Sequence, residues 1–167
     1  MIEGMDKLQK RLKQYENISL EKPVSNAIAL VQRNAMLNVP VDHGELRNNL
    51  PIHTKQAGEG HVIGECSIGR TYGNYVEMGT GQRGQADHSG ISPNVSVAYS
   101  QSPWWIHESQ VDRSVAEKYH WFHIDTKDGR FYQCNGQPAQ PFLYPALKDH
   151  EDECVDEIAD GIRRQLK

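Results

Sequence analysis

The apolar residues of this chain change their spacing twice, and that change constrains the fold more than any other feature. Met5, Leu8, Leu12 and Tyr15 recur at steps of three and four among Lys and Glu, the pattern of an amphipathic helix with one narrow stripe that needs a surface to lie on. A second helix is predicted from Pro23, a residue suited to a first helical position, through Val24, Ala27, Ile28, Val31 and Ala35 to about Asn38, where Pro40 stops it. From Leu50 the period becomes two. Leu50, Ile52 and Thr54 share one face, Val62, Cys66 and Ile68 share another, and QAGEG between them reads as a hairpin loop. YHWFHID and RFYQC form a later pair around the turn-forming TKDG.

The helical period returns after Pro141 or Pro145, where Leu143, Leu147, Cys154, Val155, Ile158, Ile162 and Leu166 hold a stripe to the end. Acids from Asp149 to Glu157 lie towards its start, and Arg163, Arg164 and Lys167 lie at its end, which suits the helix dipole. Helices at both ends with strands between predict an α+β fold: a small antiparallel sheet with the N-terminal and C-terminal helices packed on one face. The expected organisation is a single domain, residues 1–167, with helices over about 4–38, the sheet over about 50–135 and the last helix over about 141–166.

A stretch rich in Gly, Ser, Pro and Gln, about 82–118, interrupts the sheet region as a long loop. Within it Trp104 and Trp105 are adjacent. Exposed aromatics anchor interfaces, so this pair is a candidate partner surface; the alternative is that both fold back onto the sheet. A mean hydropathy of -0.70 and 37% hydrophobic residues point the same way, to a core that draws on neighbours for part of its burial.

Net charge is -4, so there is no basic field to neutralise phosphates, and DNA binding is not expected as the main activity. A mild negative charge does suit a wall that DNA slides past. The charged N-terminal stretch lacks the apolar core of a signal peptide, and no apolar run reaches the length of a membrane span. The expectation is a protein made and kept in a cytoplasm. Cys66, Cys134 and Cys154 include no CxxC pair and are read as reduced, partly buried thiols.

The candidate chemistry is thin. His120 and His123 stand near Asp125 and Cys134, but on a strand positions three apart point to opposite faces, so no metal site is assigned. Asp42, His43 and Glu45 resemble an acid/base cluster. They also make a helix N-terminus, with Asp42 as cap, Glu45 three residues later as in a capping box and Leu46 as the first apolar contact, and this is the reading adopted. There is no GxSxG elbow, and GTGQRGQ lacks the GK[ST] of a phosphate loop, so no catalytic or cofactor-binding residue is named. In YGNYVEMGTG, Tyr72, Tyr75, Val76 and Met78 form an apolar group that leaves through a sharp glycine exit, and Glu77 within it could pair with Arg47.

Three segments in order, NVPVDHGELRNNL, TYGNYVEMGTG and GQPAQPFLYPAL, resemble the neck and tail-completion (head-tail joining) proteins of long-tailed double-stranded DNA bacteriophages. The first motif of that family is matched by Pro40, Asp42, Gly44, Leu46 and Arg47, with His43 in the usual threonine position. Tyr72, Tyr75, Glu77, Gly79, Thr80 and Gly81 match the second, and Gln140, Pro141, Phe142, Leu143, Pro145 and Ala146 the third. The segment from Gln82 to Lys118 is longer than many members carry.

What the resemblance implies is a structural virion protein without catalysis or cofactor. Its copies would form a six-fold ring at the head-tail interface, against head-closure and tail-terminator or tube proteins, with genomic DNA passing through without specific binding. It would lie in the neck or tail of the virion, away from membranes, after assembly in the host cytoplasm. The alternatives are a minor tail or tail-terminator component, and a metal-dependent hydrolase built on the His, Asp and Cys residues near the last strand pair.

Overall fold

A computed structural model describes residues 4–41, 44–111, 113–118 and 120–166. The fold is α+β. Among the described residues the strands form two separate antiparallel sheets, one of two strands and one of three, where the sequence suggested one. Chain contacts group into two compact units, residues 1–70 with 142–167 and residues 71–141.

The first unit is built on α2 (Glu21–Asn38), whose inward face Ala27, Val31 and Ala35 is buried together with Val39, Leu46 and Leu50. Pro23 falls in the first turn, where its missing N–H costs no helical bond. The hairpin β1 (Ile52–Gly58) and β2 (His61–Cys66) lies against α2. Its turn is Glu59–Gly60 and not the whole of QAGEG, because β1 carries on through Gln56 to Gly58 with an irregularity between them. Gly64 lets helix and hairpin meet: a Cβ there would lie 2.9 Å from Val24 Cγ1 and 3.3 Å from Ile28 Cβ. The Gln32 side chain donates to the Leu50 carbonyl at 2.6 Å and ties α2 to the approach to β1.

The C-terminal helix is two helices, α6 (Leu143–Lys148) and α7 (Glu151–Gln165). Between them His150 leaves helical backbone angles, and its Nδ1 approaches the Ala146 carbonyl at 3.2 Å. Both helices pack on α2. Phe142 and Ala146 are wholly buried, whereas Leu147 and Val155, counted in the expected apolar stripe, are exposed. The N-terminal stripe fares likewise: α1 (Met5–Glu16) forms as expected but buries none of its residues.

The expected helix start after Pro40 is a single turn, Glu45–Asn48, closed by Asn48 N–H donating to the Gly44 carbonyl at 3.0 Å. Asp42 and His43, the expected cap and its neighbour, lie outside the described residues. Glu45 turns to Arg70 at 3.6 Å.

The second unit holds α3 (Gly73–Met78), α4 (Gly81–Ala86), β3 (Trp104–His107), a 3-10 turn at Glu108–Gln110, α5 (Arg113–Lys118), β4 (His123–Thr126) and β5 (Gly129–Cys134). The sheet order is β3-β5-β4. The β4–β5 hairpin turns on Lys127 and Asp128, within the TKDG read from the sequence. The stretch 82–118 is therefore not one loop: it carries most of α4, all of β3 and α5, and an irregular segment between α4 and β3. Trp104 and Trp105 sit on a strand.

Candidate functional site

The second family-like motif and the segment that opens the third meet in the second unit as a knot of main chain. The chain leaves α3 through Gly79, whose φ of 73° no β-carbon tolerates readily, and a Cβ there would stand 2.7 Å from the Ala139 nitrogen. Thr80 then pairs with Gln137 in an antiparallel bridge, N–H to carbonyl in both directions at 2.9 and 3.1 Å. Gly81, at φ 60°, brings α4 so close that a Cβ would be 2.8 Å from the Asn135 carbonyl oxygen.

Further along, Ala139 N–H donates to the Asp87 carbonyl at 2.9 Å and Gln140 N–H to the Val76 carbonyl at 2.8 Å. The Gln137 side chain donates to the Tyr75 carbonyl at 2.9 Å. The glycine exit predicted from YGNYVEMGTG thus has a definite cause. Segment 135–140, which leads into the third motif, lies against it too closely for side chains.

Beside this knot is an open groove of about 850 Å³, lined chiefly by Tyr72, Tyr75, Val76, Val97, Tyr99 and Trp104. Tyr99 Oη donates to the Met78 carbonyl at 2.8 Å and anchors the irregular segment as one wall. Among the described residues of the lining there is no carboxylate, imidazole, thiol or cationic group. The groove can take an apolar segment, with the phenols of Tyr72, Tyr75 and Tyr99 among its polar groups.

The two tryptophans part company, as neighbours on a strand must. Trp104 is half-buried in the groove, and Trp105 is 43% exposed on the other face of the sheet. There the ring centroid of Trp105 is 6.1 Å from that of Phe122, while His107, Phe131 and Ile124 share the same face by register. Phe122 and Ile124 are also exposed. Sequence reasoning missed this aromatic face and the groove wall at Val97 and Tyr99; the alternation in WWIH was the available signal, but four residues are too few to stand out from a loop.

Of the remaining motif residues, Tyr72 and Tyr75 are exposed at the surface of the second unit and Glu77 is buried at 6% relative exposure. Gly44 has φ 79°, Leu46 is buried, Arg47 is half-buried and Pro40 is exposed, all in the first unit. Glu77 and Arg47 thus belong to different units. Gln140 and Pro141 end the second unit, and Phe142, Leu143, Pro145 and Ala146 begin the return to the first, with Phe142 and Ala146 in its core.

His107 has a local structural part. His107 Nε2 faces the Asp128 carbonyl at 3.0 Å, and its Nδ1 accepts from the Ser109 N–H, a local cap of the 3-10 turn. His120 lies outside β4 with φ 51°, and His123 is exposed on β4. Among the described residues no group of three or more His, Cys, Asp or Glu side chains could share a metal ion. All three cysteines are free and half-buried. Burial pushes the Cys66 thiol above its ordinary range, and burial with the nearby Glu153 charge does the same to Cys154, which disfavours the thiolate form at both.

Among the described residues no helix is long and apolar enough to cross a membrane. Comparison with protein-family models, with curated proteins and with solved structures finds no match to this chain.

Proposed function

We propose that this chain is a structural subunit of a long-tailed bacteriophage neck, which joins or completes the tail by assembling into a ring around the DNA channel. The observation that carries the reading is the order and joining of the three motif segments. The second motif is hydrogen-bonded along its length to the residues that open the third, and the third supplies Phe142 and Ala146 to the core that also buries Leu46 of the first. A sequence match spread over distant segments has more weight when those segments are parts of one construction.

The surfaces are consistent with assembly. The stripe on α1, the aromatic face around Trp105 and the groove beside Gly79–Gly81 leave apolar area open on a single chain whose core is modest. Open area of this kind marks interaction surfaces. The acidic balance suits a channel that DNA must traverse without sticking.

Immunogold labelling of intact phage particles tests the reading directly. Label at the junction of head and tail is the expected result; label along the tail shaft, at the tail tip, or only on unassembled protein would remove it.

A further inference from the structure

Resting on the ring reading above, we infer that α1 of one copy docks its apolar stripe on the α6–α7 surface of a neighbouring copy. Met5, Leu8, Leu12 and Tyr15 line one face of α1, and each is 42 to 57% exposed. A helix of this length is marginal on its own in water, so its order depends on a surface that covers the stripe. The chain's own first unit does not supply that cover.

The receiving surface is in the same unit. α7 packs on α2 through one face: the Cys154 thiol lies 3.7 Å from the Ala27 carbonyl, the Asn26 amide donates to Glu157 at 3.0 Å, and Gly161 sits against Pro23. The neighbouring face carries Val155, Ala159, Ile162 and Leu166 at helical spacing. Val155 is 59% exposed, the other three are half-buried, and Leu147 of α6 is exposed as well. This strip is left partly open by everything packed on α7.

Charge selects the occupant. Around its stripe α1 carries Lys7, Lys10, Arg11 and Lys13 against Asp6 and Glu16, whereas every charged residue from Glu151 to Asp160 on α7 is acidic. Asp152 and Asp156 flank the exposed Val155. A basic helix with an apolar stripe and an acidic helix with an apolar strip complement one another, and they are different patches of one chain. The contact is therefore heterologous, giving each copy one donor and one acceptor, the geometry that closes rings.

The test is sedimentation of the full-length chain over a range of concentration and ionic strength. An α1 variant (Leu8→Glu with Leu12→Glu) and an α7 variant (Leu147→Glu with Val155→Glu) alter exposed positions, and circular dichroism checks that each is folded. The wild type should self-associate, less so as salt rises. Each variant alone should associate on the order of a hundredfold more weakly or not at all. An equimolar mixture of the two variants retains one competent donor and one competent acceptor, so it should form a one-to-one pair that grows no further.

A wild type that stays monomeric to its solubility limit overturns the docking. So does a mixture that forms no pair, which would point to α1 meeting α1 or folding onto its own chain. Rings that persist in both variants also overturn it while leaving the ring reading intact, whereas failure of that reading shows in the particle labelling and not in this experiment.

Discussion

The two units are held together by different means. In the first, apolar side chains fill a core about a long helix: Ala27, Val31 and Ala35 of α2 are buried together with Leu46, Leu50, Phe142 and Ala146. In the second, the buried positions include Gly73, Gly79, Gly81, Gly84, Glu77, Ala116 and Tyr132, and main chain approaches main chain around the Thr80–Gln137 bridge. A side-chain core draws its stability from apolar area removed from water. A backbone knot draws it from hydrogen bonds that only glycine geometry permits, and so it tolerates less variation per residue.

Spectroscopy can separate these cases, because Trp104, Trp105 and Trp121 all belong to the second unit while the long helices α2 and α7 belong to the first. The largest effect is expected from Phe142→Ala. Emptying a wholly buried aromatic site costs about 3–5 kcal/mol, and in urea unfolding the far-ultraviolet dichroism midpoint should fall further than the tryptophan midpoint. Equal shifts in both signals would dissolve the distinction, since the units would then unfold as one.

Gly79→Ala should come next, at about 1–3 kcal/mol, from positive φ and the approach of the Ala139 nitrogen. Here the tryptophan signal should move more. A variant as stable as the wild type would mean that the glycine exit is not the constraint assigned to it. Tyr99→Phe removes the bond to the Met78 carbonyl and should cost about 0.5–1.5 kcal/mol, with the tryptophan emission shifted to the red as the groove wall loosens.

The smallest effect concerns pH. Arg130 forks onto Asp125 across β4 and β5 at 2.7 and 3.3 Å, and this hydrogen bonding holds the Asp125 carboxyl below its ordinary range. A lowered carboxylate pKa in the folded state stabilises above the unfolded value, and that contribution is lost as pH falls through the folded one. Asp125 is solvent-exposed, so the slope should be slight. Asp125→Asn should flatten it between neutral and strongly acidic pH, and an unchanged slope would assign the acid sensitivity to other carboxylates.

The same contrast governs what the sequence reveals. α1, α2, the first hairpin and the β4–β5 turn follow from periodicity and turn chemistry, since those elements are long or closed by Gly at a fixed place. The break at His150 is hidden because apolar spacing runs on across it, and the same spacing points Leu147 and Val155 inward although the chain leaves both exposed. β3 was hidden in a Gly- and Ser-rich context, and α3 and α4 are too short for any period to register. For the candidate site, glycine spacing pointed to the knot at Gly79–Gly81. It could not point to the partner segment 135–140, which is distant in sequence and recognised through backbone atoms that every residue shares.

The proposed joining role is tested most directly by deleting the gene for this chain and examining the resulting lysate by electron microscopy. Filled heads lying beside finished but separate tails are the expected result, restored to whole particles when the protein is supplied. Intact, infectious particles from the deletion would contradict it.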